Sequence, residues 1–241
     1  LLILAATAGF ILDRKRKDAE KKRLAAEFTA QIADTEMKAL RAQMNPHFIF
    51  NSLNAISNFI GSNKLDYADD YLMRFSKIIR MILENSEHKE IPLADDLRAL
   101  ELYIQLEIMR LKNSFSYEIT VDENLDTENT LVPPLILQPF VENSIWHGVS
   151  RKDHSGKIVI AIRQQSDNLI CTVEDNGPGR NSSHSDNGSV KNENKKSMGI
   201  RITQSRINIL NEQRKSGANI AFTDLPEGLR VTVSLPLLYK F

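Results

Sequence analysis

The chain has no second cysteine to pair with Cys171, no excess of either charge, and no apolar run of the ~20 residues that a membrane-spanning helix needs. A lone cysteine fits a reducing compartment, and Cys171, inside the apolar run Leu169 to Val173, reads as a core residue. Lys plus Arg equals Asp plus Glu at 31 each, so the charge balance points to no nucleic-acid partner and any electrostatic effect must be local. The apolar opening from Leu1 to Leu12 is short, yet Arg14, Lys15, Arg16 and Lys17 follow it at once. A basic cluster after an apolar segment marks the cytoplasmic side, whereas a secretion signal carries its charges before the apolar run. Residues 1–12 are therefore expected to be the end of a transmembrane helix whose other turns lie upstream, with the chain cytoplasmic from about residue 13. A buried helix of a soluble domain is the alternative.

Glycine and proline are absent from Asp13 to Met44, a stretch rich in Ala, Glu, Lys and Arg. Apolar residues recur at Ala25, Phe28 and Ile32, then at Met37, Leu40 and Met44, close to a heptad with one change of register. The pattern predicts a long coiled-coil linker helix over 13–44, or else a single solvated helix. Two helices joined at Gly61, Ser62 and Asn63 follow, making a hairpin over 45–90. A third, opened by Pro92, runs to about Lys112. A domain boundary falls near Glu90. Beyond it strands are expected at 116–121, 157–163, 169–174, 219–223 and 229–235, with helices at 134–148 and 199–215. That alternation indicates a helix layer on a mixed sheet. Arg180 to Lys196 contains one aliphatic side chain, Val190, and reads as a polar functional lid.

In the first hairpin helix, Ile49, Leu53, Ile56 and Ile60 form an apolar stripe. His47, Asn51, Asn54 and Asn58 repeat with the same steps, offset by two residues, or about 200° around a helix. His47 should thus be accessible on a polar face, just after a bend imposed by Pro46. Most histidines so placed are ordinary surface residues. A neutral imidazole is nonetheless a nucleophile near neutral pH, and the neighbouring asparagines, Asn51 first, can orient a phosphate or the ring without acting as bases.

In the second half, VPPLILQPFVENSIWHGV predicts a helix with Ile136, Phe140, Asn143 and His147 on one face. The amide oxygen of Asn143 suits Mg²⁺, a hard cation that keeps waters and phosphates as its other ligands. The strand LICTVEDNGPG ends in Asp175, Gly177 and Gly179, where a carboxylate can accept from an adenine amino group and glycines let the backbone approach the base. Alone it would read as a β-turn. Lys195, Lys196, Ser197 and Gly199 then precede a helix, whose amides and dipole suit a phosphate.

From about Leu40 to Pro236 these residues resemble the LytS-type sensor histidine kinases, whose catalytic half belongs to the GHKL ATPase superfamily. QMNPHFIFNSLNAI is similar to the phosphoacceptor signature of that family, VENSIWHG to its N box, EDNGPG and KSMGIRITQSRI to its two glycine boxes, and GLRVTVSLP to its closing strand. The resemblance implies an α+β chain: a helical hairpin over 45–90 that makes a four-helix bundle as a homodimer, then a GHKL (Bergerat-type) α/β sandwich with a mixed sheet over 91–241. It implies a protein-histidine kinase that phosphorylates itself on His47 from ATP and passes the phosphoryl group to a response-regulator receiver domain, at a bacterial inner membrane. Asn143 would hold Mg²⁺, Asp175 would read adenine, and His147, Gly177, Gly179, Lys195, Lys196, Ser197 and Gly199 would complete the nucleotide site. The chain departs from broader patterns at Phe48, where many histidine kinases carry an acid, at Pro139, Trp146 and Ser197. The general base for His47 is thereby left unassigned. A non-catalytic GHKL-fold signalling protein and a GHKL ATPase or protein-serine kinase are the competing readings.

Overall fold

Alternation of apolar and polar residues builds the sheet. In Gly156–Gln165 (β4) Ile158, Ile160 and Ile162 point inward and are fully buried, and in Asn168–Asp175 (β5) Leu169, Cys171, Val173 and Asp175 do the same. Each buried aliphatic side chain of this kind contributes about 1.5–3 kcal/mol. The computed structural model describes residues 14–15, 46–112, 114–152, 155–179, 200, 203–208, 211 and 217–240. Leu1–Phe48 and Ile49–Phe241 form two compact units. The apolar stretch 1–12, the linker helix apart from residues 14–15, the turn before Pro46 and the polar segment 180–199 lie outside the described residues. Among the described residues no helix is long and apolar enough to cross a membrane.

Helix α1 (Pro46–Gly61) and helix α2 (Leu65–Ser86) are joined by a short turn in which Asn63 takes φ 55°, a left-handed conformation that Asn tolerates. Ser52 and Ala55 of α1 are buried, the Tyr71 hydroxyl of α2 donates to Ser52 Oγ at 3.3 Å, and the Phe59 and Tyr71 rings lie 5.8 Å apart. The aliphatic stripe is not the side of α1 that this chain buries: Leu53 and Ile60 are 51% and 55% exposed, and Phe50 is 67% exposed.

A two-residue strand, β1 (Ile91–Pro92), pairs with β3 (Leu131–Val132) and leads into α3 (Leu93–Arg110). Arg74 of α2 donates to Gln105 of α3 at 2.7 Å, so the hairpin and α3 share a polar seam. The five-stranded sheet has the order β2-β4-β5-β7-β6, with β2 (Phe115–Val121), β6 (Asn219–Asp224) and β7 (Leu229–Pro236) completing it. β2 runs parallel to β4 and every other pair is antiparallel, which makes the sheet mixed. Its buried face meets apolar side chains from helical segments, including Tyr103 and Ile104 of α3, Phe140, Ile145 and Ile207. The architecture is thus α+β, with helices layered on one face of a mixed sheet.

Candidate functional site

The helix expected from residue 134 begins later. Helix α4 covers only Gln138–Asn143 and passes into a π-helical turn, Ser144–Gly148. Residues 133–137 form a turn instead, with Leu135 at φ 57°. A buried carboxylate holds that turn: Asp96 of α3, 2% exposed, accepts the Leu135 amide at 2.5 Å, and Arg206 donates to the Pro134 carbonyl at 2.8 Å. Leu135, in the left-handed region, cannot belong to a right-handed helix, so the helix starts only after it. Burial pushes the Asp96 carboxyl up to about 6, opposed by the Leu135 amide, the Arg206 charge and the Ile136 amide. The shared face proposed for Ile136, Phe140, Asn143 and His147 is therefore corrected, because Ile136 precedes the helix and Phe140 is 1% exposed in the core while His147 is exposed.

Asn143 is half-buried, and its side-chain nitrogen donates to the Pro139 carbonyl one turn back. That commitment makes the amide oxygen the atom that would address a cation, and one hard oxygen from the protein fits Mg²⁺, which takes its other ligands from water and phosphate. The π turn then brings Ser144 and Gly148 together against the end of β5. π turns often mark functional sites, because they re-aim side chains within a helix.

Asp175 is the last inward residue of β5, so strand alternation delivers a carboxylate to the edge of the core, where it is 4% exposed. Its Oδ1 accepts the Gly177 amide at 2.9 Å and its Oδ2 accepts the Ser144 hydroxyl at 2.9 Å. Burial pushes the carboxyl above the usual range, and the Gly177 amide, the Ser144 hydroxyl and the Leu229 backbone oppose that shift. A side chain at Gly148 would put Cβ 2.8 Å from Asp175 Oδ1, and one at Gly177 would run into the Gly148 backbone. Asp175 thus lies in a floor of bare backbone. The Asn176 side chain is occupied elsewhere: it accepts the Lys157 amide at 2.8 Å and donates to the Ser155 carbonyl at 2.9 Å, clamping the loop to β4.

Beneath this loop sits the tip of the β6–β7 hairpin. Gly228 has φ +94°, and a Cβ there would collide with the Asp175 carbonyl; Gly179, at φ +71°, packs 3.3 Å (ideal Cβ) from the Gly228 carbonyl. Ser144, Gly148 and Gly228 escaped the sequence reading. The available signals were VENSIWHG, which contains Ser144 and Gly148, and the glycine opening GLRVTVSLP, which reads equally as an ordinary turn.

Beside α4, the Arg110 guanidinium stands 4.5 Å over the Trp146 ring and pairs with Glu107 at 2.5 Å, Glu107 being 1% exposed. His47 is exposed in the first turn of α1, and Asn51 one turn on is half-buried. Lys195, Lys196, Ser197 and Gly199 lie outside the described residues.

Residues 35–115 match the histidine kinase family. The chain is similar to the sensor protein LytS of Staphylococcus saprophyticus, 33% identical over 63% of this chain and 25% of that protein. It is also similar to the sensor histidine kinase/phosphatase LytS of Staphylococcus aureus, 34% identical over 61% of this chain and 25% of that protein. The chain thus spans about a quarter of the length of the curated relatives it matches. Among solved structures it is similar to the histidine kinase domain of the blue-light activated histidine kinase EL346 of Erythrobacter litoralis, with 19% identity, 74% of this chain and 83% of that chain covered, and a TM-score of 0.46.

Proposed function

We propose that this chain, a LytS-type histidine kinase by sequence, is the kinase part of a two-component sensor that phosphorylates itself on His47 from ATP and hands the phosphoryl group to a response-regulator aspartate. The observation that carries the nucleotide half is the Asp175 carboxylate, fixed by Gly177 and Ser144 in a floor of bare glycine backbone, the setting a flat base with an amino group requires. Asn143 would hold Mg²⁺, which supplies neutralisation of phosphate charge when bound. His147, Gly177 and Gly179 line the loops around the nucleotide, and Lys195, Lys196, Ser197 and Gly199 take its phosphates.

The chemistry needs His47 within bonding reach of the γ-phosphorus. The lone pair of the unprotonated ring nitrogen forms the N–P bond as the bond to the bridging oxygen breaks and ADP leaves with that electron pair. The proton on the other ring nitrogen is then released, with Asn51 orienting the ring. In the second step a receiver aspartate oxygen attacks phosphorus and the imidazole nitrogen takes back its electron pair. In-line transfer of this kind is served by positioning more than by covalent help from the protein.

A homodimer is supported by the exposed apolar side of the hairpin, where Phe50, Leu53, Ile60, Leu72 and Met73 suit the seam of a four-helix bundle formed with a second copy. In this reading residues 1–12 end a transmembrane helix at a bacterial inner membrane, 13–44 form the coiled-coil linker, 45–90 the dimerisation and phosphotransfer hairpin, and 91–241 the ATP-binding domain. Incubation with γ-labelled ATP tests it. Wild-type protein is expected to acquire acid-labile label and His47→Gln to acquire none. Label that survives mild acid, or label on His47→Gln, would reject the assignment.

A further inference from the structure

The carboxylate of Asp175 has two acceptor oxygens, and the surroundings treat them differently. Oδ1 is the enclosed one: it takes the Gly177 amide at 2.9 Å, and side chains at Gly148 and Gly177 would both come within 2.8 Å of it. Oδ2 meets the Ser144 hydroxyl at 2.9 Å. An ionised carboxylate can only accept, so the hydroxyl hydrogen must lie on Oδ2. With that hydrogen spent, the Ser144 oxygen has only lone pairs left to offer. Ser144 and Asp175 are each 4% exposed, so water replaces neither partner cheaply.

We infer that Ser144 is a specificity-determining residue: by pinning its hydroxyl on Asp175 it makes the floor of the site acceptor-only and selects a purine with an exocyclic 6-amino group over one with a 6-oxo group. The inference rests on the nucleotide reading above and deepens it. A 6-amino group brings two donors to a surface that has only acceptors. A 6-oxo purine sets an acceptor against that acceptor surface and keeps its donor one ring position away at N1–H, so its oxygen meets lone pairs where the amino group would have donated, a mismatch that buried sites reject strongly. Were Ser144 absent, Oδ2 would lose its fixed donor, one acceptor would vanish, and the carboxylate could turn about its Cβ–Cγ bond on the Gly177 side alone. Discrimination would fall even though Asp175 remained.

The placement is a product of the π turn. Ser144 and Gly148 stand at its two ends, so the serine reaches Oδ2 while the glycine lets the backbone pass beside Oδ1. Ser144 is therefore assigned through the base it helps choose, separately from the cation-binding role of its neighbour Asn143.

Equilibrium binding of ATP and of inosine triphosphate to the full chain, wild type, Ser144→Ala and Ser144→Thr, tests the inference. Wild type is expected to prefer ATP by at least about a hundredfold. Ser144→Ala should cut that ratio at least tenfold while the protein still unfolds cooperatively, though at lower denaturant because Asp175 Oδ2 loses its buried donor, and Ser144→Thr, which keeps the hydroxyl, should restore most of it. A wild-type ratio in Ser144→Ala overturns the inference while leaving the nucleotide reading intact, as does a Ser144→Thr protein that behaves like Ser144→Ala. Wild-type protein that binds neither nucleotide overturns the nucleotide reading and the inference together.

Discussion

Replacing Asp96 with alanine should destabilise the nucleotide unit more than most single substitutions would. Asp96 accepts the Leu135 amide at 2.5 Å, and Arg206, itself part-buried, holds the Pro134 carbonyl at 2.8 Å on the other side of the same turn. Asp96→Ala strands a buried amide, at about 1–3 kcal/mol, and removes the negative charge that faces Arg206. That loss is a sizeable share of the ~5–15 kcal/mol that holds a typical domain together. Asp96→Asn keeps an acceptor and should cost less. The two variants also separate in pH. The Asp96 carboxyl is pushed up to about 6, above its unfolded value near 3.9. A raised value means that the protonated form favours folding. The associated stability is fully present below about pH 4 and is lost as pH rises through 6, by roughly 3 kcal/mol for two units. Urea unfolding of wild type and Asp96→Asn between pH 4 and 7 should therefore show a downward slope with rising pH in the wild type that the variant lacks. Identical slopes, or a loss below 1 kcal/mol for Asp96→Ala, would refute the reasoning.

Gly228→Ala would drive a Cβ into the Asp175 carbonyl at a positive φ, and it should cost at least about 2–3 kcal/mol while weakening nucleotide binding. Calorimetric titration with ATP reads the second effect, and an unaltered affinity would show that the hairpin tip does not support the loop. Leu53→Asp with Ile60→Asp should convert dimer to monomer in sedimentation without loss of helical signal, because both side chains are about half exposed in the single chain. A double variant that stays dimeric would place the seam elsewhere on the hairpin.

Period-two alternation made the strands legible within a residue or two, since LICTVED can bury Leu169, Cys171 and Val173 only by facing them one way. The same rule carries Asp175 inward, so the most constrained acid of the site could be read from its strand. The start of α4 could not. Pro133 and Pro134 signal a helix start locally, but Leu135 takes φ 57° in a turn held by a carboxylate 39 residues away. In α1, periodicity singled out the stripe of Leu53 and Ile60 correctly as apolar, yet within the chain it is Ser52 and Ala55 that are buried, Ser52 against Tyr71 of α2. A hydrophobic pattern states which side wants burial, and does not name the surface that provides it.

By itself the sequence determined the local vocabulary of this protein: the helices and their amphipathic sides, the alternating strands, the turn after Asp175, and the signature around His47. These follow from nearest-neighbour sterics and from periodicities of 2 and 3.6 residues. Only the tertiary structure decided that Ser144, Gly148 and Gly228 converge on one carboxylate, that Asp96 and Arg206 hold the turn before α4, and that the aliphatic side of α1 stays exposed in the single chain. Each of those depends on distant segments competing for the same buried hydrogen-bonding groups and the same space. No window of sequence contains both competitors.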